Sequence, residues 1–211
     1  YINNDKLTKE YAKQYILSIL DRSISEGGRS QDNYAHGRLF ALGALYDWNY
    51  DYLPETLRKR MRKRILDYIE YIENTWRSFS RPRGTGSHGR AAHYYALPAL
   101  FAIRYDIKDD SSTDESSYFK WLEIVVNNWR NTYNPTEQWI NKGGGQHMGW
   151  RYGTAYVEQH PYLIWEFATD EESWFFDWQR ENIYFLIYGY RPYKLFSDLF
   201  PYFGDLPQEG T

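Results

Sequence analysis

The chain has 211 residues and a mass of 25.4 kDa, long enough to bury a sizeable core and short enough to be expected as one domain or a large piece of one. Hydrophobic residues make up 42% and aromatic residues 20%, with 22 Tyr and 9 Trp; this excludes a disordered tail and leaves more large rings than such a core needs, so some are expected to line a groove. The lack of cysteine excludes disulfides and thiolate chemistry, no apolar run approaches the roughly 18–20 residues of a membrane span, and a formal net charge of −3 argues against wholesale nucleic-acid binding.

Apolar spacing is helical almost throughout, and nothing reads as alternating strands. Helices are expected at 5–21, 33–49, 55–76, 88–105, 115–132, 153–168 and 178–189. In the third, Leu57, Met61, Ile65, Tyr68, Ile69 and Ile72 recur at steps of three and four on one face; in the fifth, Trp121, Leu122, Val125 and Trp129 do the same. The breaks are Glu26-Gly27-Gly28-Arg29, Leu53-Pro54, Arg81-Pro82-Arg83-Gly84, the polar run 109–117, Asn134-Pro135 and Gly143-Gly144-Gly145. Short connections make antiparallel hairpins, which pack either as a bundle or as a ring whose loops gather at one end. The chain opens at Tyr1 with neither methionine nor signal peptide, which fits a processed or excised segment of a longer protein.

Charge is unevenly spread. No acid occurs between Glu73 and Asp106, where Arg77, Arg81, Arg83, Arg90 and Arg104 fall, and none from Gln138 to Val157, which holds Lys142 and Arg151. Such windows read either as chance clustering on a solvated face or as a cationic cleft for an anionic substrate.

Two stretches carry titratable chemistry. In Ser87-His88-Gly89-Arg90, Ser87 is suited to cap a helix whose first turn holds His88; the positive end of the helix dipole there disfavours imidazolium and leaves a neutral ring able to accept a proton. An ordinary exposed histidine is the competing reading. His93, deeper in the same helix among Ala92, Tyr94, Tyr95 and Leu97, reads as a satisfied core histidine. In Gln146-His147-Met148-Gly149-Trp150-Arg151-Tyr152-Gly153, three preceding glycines would let the backbone approach a ligand closely, and Arg151 beside Tyr152 supplies positive potential that favours the phenolate a tyrosine base needs. A plain turn is the competing reading. The histidines at 36, 88, 93, 147 and 160 lack zinc-ligand spacing, there is no GxSxG elbow, P-loop or GxGxxG, and no cofactor or metal is expected within these residues. Paired carboxylates for glycoside hydrolysis could be drawn from Asp47, Asp51, Glu158 and Glu166, with Asp47 in LYDWNYDYLP the foremost and a helix-terminal cap as its ordinary explanation.

Taken in order, ALGALYDWNYDYLPETLRKRM, GSHGRAAHYYALPALFAI, QHMGWRYGTAYVEQHPYLIWEF and YFLIYGYRPYKLFSDLFPYFGD resemble successive segments of the N-terminal helical domain of the heparinase II/III-like polysaccharide lyases, nearest to the heparinase II branch. The resemblance covers most of the chain. It implies an all-α, incomplete (α/α) toroid over residues 1–211, followed in the parent protein by β-sandwich domains, and β-elimination at a uronic acid of a glycosaminoglycan-like glycan. It implies Tyr152 at the C5 proton or the leaving O4 and His88 as partner base or acid. Arg90 and Arg151 are the candidates for neutralising the C6 carboxylate, with His147, Gln146, Trp150 and Arg83 as further substrate contacts. It also implies an acidic polysaccharide as partner and a periplasmic or secreted location, and it is compatible with a homodimer; charge and hydropathy already argue against nucleic acid and a membrane span. Two features depart from the family: Ala91 stands where a glutamate follows the histidine by three residues, and the β-sandwich with its further histidine and structural zinc lies outside these residues. The alternatives are an (α/α)-barrel glycoside hydrolase and a glycan-binding toroid without the acid–base pair.

Overall fold

The computed structural model describes residues 6–26, 32–82, 87–107, 115–145, 159–172 and 174–189, and among them every regular element is helical. The chain divides into two compact units, Tyr1–Trp129 and Arg130–Thr211.

The first unit holds α1 (Lys6–Leu20), α2 (Asp32–Trp48), a 3-10 turn (Tyr50–Tyr52), α3 (Glu55–Trp76), α4 (Ser87–Ile103) and α5 (Glu115–Asn128). α2 and α4 form its centre, with α1 and α3 against α2 and α5 against α4. α3 starts after Pro54, with Glu55 in its first turn where the helix dipole favours an acid. Its apolar stripe Leu57, Met61, Ile65, Tyr68, Ile69 and Ile72 is buried as expected, each such side chain contributing about 1.5–3 kcal/mol. α3 stops at Arg77, whose left-handed conformation (φ 54°, ψ 37°) suits no β-carbon well. The turn is held by Glu73, whose carboxylate accepts from the N–H groups of Phe79 at 2.9 Å and Ser80 at 3.1 Å.

α2 and α4 cross through small residues. A Cβ at Gly43 would stand 2.6 Å from Ala99 Cα and 3.0 Å from Ala99 Cβ, so only glycine permits this approach. Gly43→Ala is expected to push the helices apart and cost about 1–3 kcal/mol, read as a lower urea midpoint at unchanged slope. Gly37→Ala, on the same helix with nothing within 4 Å of the added carbon, should instead stabilise by about 0.5–1 kcal/mol.

The second unit holds α6 (Asn134–Ile140), α7 (Gln159–Thr169) and α8 (Phe175–Gly189). The expected break at Asn134-Pro135 is not one: after α5 the chain makes a π-helical turn, Trp129–Tyr133, and re-enters a helix. Pro135 falls in the first positions of α6, where no intrahelical acceptor awaits its missing N–H. α8 begins three residues before its expected start at 178, and the first part of the helix expected at 153–168 lies outside the described residues. The unit packs through rings: Tyr162 stacks on Phe175 at 4.8 Å and 9°, and Trp174 meets Tyr162 edge-on at 5.3 Å. Arg130 pairs with Glu171 at 2.7 Å and lies over the Trp165 ring at 5.3 Å.

Candidate functional site

α4 begins at Ser87, so His88 occupies the first helical turn; its side chain lies outside what is described. Arg90 and His93 follow, both with 0% exposure. The Arg90 guanidinium lies over the Tyr94 ring at 5.4 Å. It is therefore part of the packed interior, and its reach toward an anion is through its field rather than through an exposed fork.

His93 is held from two sides, as expected of a satisfied core histidine. Its Nδ1 is 2.8 Å from the Gly89 carbonyl and its Nε2 is 3.0 Å from Asn128 Nδ2, which also donates to the Phe79 carbonyl at 2.8 Å. A carbonyl only accepts, so Asn128 presents its NH2 to both partners, and His93 is the neutral tautomer with the proton on Nδ1. Burial lowers its pKa to about 4, outweighing the Gly89 carbonyl and Glu73, which act upward; His36 adds to the lowering. The folded value lies below the ordinary imidazole value of 6.5, so the stability that depends on neutral His93 is complete above pH 6.5 and is lost as pH falls toward 4. A loss on the order of 3 kcal/mol across that window is expected in urea titrations, and His93→Gln should flatten it.

The stretch holding Gln146, His147, Trp150, Arg151 and Tyr152 lies outside the described residues, as does Arg83. The loop that leads into it is described, and it corrects one expectation. Gly143 and Gly144 take φ of 86° and 80°, and a Cβ at Gly144 would run into the backbone of Glu181 and Asn182. The backbone that Gly144 approaches belongs to α8, not to a ligand. Three bonds pin the loop there: Gly143 N–H to Glu181 Oε2 at 2.7 Å, Asn182 Nδ2 to the Gly144 carbonyl at 2.7 Å, and Trp178 Nε1 to the Gly145 carbonyl at 3.1 Å.

Beside this loop is a cleft of about 460 Å³ lined by Trp139, Lys142, Trp174, Asp177, Trp178 and Glu181, among others. The expectation that some rings line a groove is met here. Lys142, expected in a cationic cleft, instead shares the lining with two acids.

Sequence reasoning missed a polar cluster in LYDWNYDYLP and beyond. Arg62, 1% exposed on α3, donates to Tyr46 Oη at 2.7 Å, to Glu55 Oε1 at 2.7 Å and to Asp106 Oδ2 at 3.3 Å. Asp106 also accepts from the Tyr46 hydroxyl and, at 2.8 Å, from Tyr50. Burial and the Asp106 carboxylate push the Tyr46 phenol well above its ordinary range, and the bond from Arg62 draws Glu55 below the usual carboxylate value. These phenols are proton donors to a carboxylate, an arrangement that fixes side chains rather than one that generates a base. The signal was available: position 62 shares the buried face of α3 with Ile65 and Ile69, so an arginine there demands a partner. Asp47 and Asp51 are exposed, Glu158 lies outside the described residues, and Glu166 sits half-buried in α7 of the other unit.

Among the described residues no group of three or more His, Asp or Glu could hold a metal ion, and no helix is long and apolar enough to cross a membrane. Compared with family models, with curated proteins and with solved structures, the chain gives no match.

Proposed function

We propose that the chain is the helical part, an incomplete (α/α) toroid, of a polysaccharide lyase that cleaves an acidic, uronic-acid-containing glycan by β-elimination. A base takes the C5 proton, the electron pair left behind forms the C4=C5 double bond, and the C4–O4 bond breaks with a proton delivered to the departing oxygen. Tyr152 and His88 carry these protons. Arg151 and the buried Arg90 offset the C6 carboxylate, because carbanion character at C5 is stabilised only when that neighbouring charge is neutralised. The observation that carries the reading is the start of α4 at Ser87, which gives His88 the first-turn position where a neutral imidazole is favoured. A periplasmic or secreted location goes with this reading.

The test is direct. The full-length protein, incubated with glucuronate-, iduronate- and galacturonate-containing polymers, should release fragments bearing the ultraviolet absorbance of the new C4=C5 bond. Fragments without that absorbance would assign a hydrolase instead. Ala91, standing where the family carries a glutamate, favours a second reading as a glycan-binding toroid, and binding without any fragment would establish it.

A further inference from the structure

The tryptophan cleft of the second unit is not used by the elimination chemistry, and its geometry points to a binding site for an uncharged sugar, a neutral hexose or N-acetylhexosamine unit of a glycan. Its rings are fixed in advance. Trp174 donates its indole N–H to Asn134 Oδ1 at 2.7 Å and Trp178 donates to the Gly145 carbonyl at 3.1 Å, so the polar edge of each ring is engaged within the protein. The two rings meet edge to face at 6.2 Å and 80°, with Trp178 only 6% exposed and Trp174 half-buried at the lining. Trp139 completes it from α6 with 79% of its surface exposed, unusual for the largest apolar side chain and costly unless something covers it.

The polar lining selects the occupant. A pyranose has a face of C–H groups, which packs on an indole, and an edge of hydroxyls, which need acceptors. Carboxylates are acceptor-only, and Asp177 and Glu181 stand at this cleft beside the rings. Glu181 is oriented by the Gly143 N–H, and Asp177 is paired with Arg180 on the next turn of α8. Lys142 adds a donor. Two acids are thus matched by two cations, Lys142 and Arg180, with no excess positive charge to attract a polyanion. The volume of about 460 Å³ falls within the roughly 300–1,000 Å³ of small-molecule sites. The inference stands apart from the elimination reaction, since it needs neither Tyr152 nor His88.

Isothermal titration of the whole chain with three probes tests it: tetrasaccharides of glucose, of N-acetylglucosamine and of galacturonate, each against the unsubstituted protein and against Trp139→Ala. Trp139 is exposed enough that its removal leaves the core intact. At least one neutral tetrasaccharide should bind, and Trp139→Ala should weaken it by about tenfold, the loss of one stacking surface. Glu181→Gln should weaken the same probe by about three- to tenfold, since an amide accepts less strongly than a carboxylate. No binding of either neutral probe, neutral binding that Trp139→Ala leaves unchanged, or Trp139-dependent binding that is tighter for the galacturonate probe would each overturn the assignment. Loss of lyase activity elsewhere in the molecule does not change any of these readouts.

Discussion

Tyr152→Phe in the full-length protein is expected to lower turnover about a hundred- to ten-thousand-fold while leaving substrate affinity within a few-fold. The phenol oxygen is the atom asked to carry the proton, whereas the ring supplies shape and stacking, and phenylalanine keeps the ring. The loss should exceed that range if one oxygen serves both as base toward C5 and as acid toward O4. His88→Ala should also lower turnover, but a larger residual rate is expected because Tyr152 can still accept the proton. Measuring kcat and KM for both variants by the absorbance of the unsaturated product separates the two roles. Near-normal turnover in Tyr152→Phe would remove the tyrosine from the mechanism and move attention to Tyr156, four residues further along the sequence.

Arg62→Met is expected to destabilise the protein by about 3–5 kcal/mol. Methionine fills most of the same volume, so the loss is electrostatic: Asp106 would lose its buried cation and keep, among the described residues, the Tyr46 and Tyr50 hydroxyls and the field of Arg58. Arg58→Met is the contrast. Arg58 pairs with the same Glu55 at 2.6 Å and lies over Tyr50 at 4.2 Å, but it does so at the surface, where such pairs are worth about 0–1 kcal/mol. The acid limb carries a second signature. Glu55 is held below its ordinary pKa chiefly by Arg62, so its contribution is present above the unfolded value and is lost as pH falls through the folded one. Arg62→Met removes the main cause of that depression and should flatten the low-pH slope that Glu55 produces. Urea midpoints measured between pH 3 and 7 for both variants would read this, and equal midpoints for Arg62→Met and Arg58→Met would contradict it.

Much of the helical architecture was legible because helix formation is local. The stripe Leu57 to Ile72 announces α3 without knowledge of any neighbour, since burial on one face needs only a repeat near 3.6 residues. His93 among alanines and tyrosines likewise declared itself interior, because a helix position flanked by small apolar residues has little access to water. Asn134-Pro135 misled for an equally local reason: proline forbids a helix interior but suits a helix start, and the sequence does not say that a π-helical turn delivers it there.

What the sequence by itself determined, then, is the set of helices and the faces they bury. The partners across those faces were decided only by tertiary structure. Asp106, separated in sequence from Arg62, Tyr46 and Tyr50, meets all three; Gly43 requires Ala99; and the glycines at 143 and 144 serve the close approach to α8 that a Gly-rich loop alone would attribute to a ligand. Trp139 and Trp178 stand 39 positions apart in the sequence, and a cleft exists only because residues of α6 and α8 line it together. The reason is physical: backbone hydrogen bonds and side-chain periodicity act over a few residues along the chain, whereas steric exclusion and charge pairing act over ångströms in space, between residues whose separation in sequence carries no information about their distance.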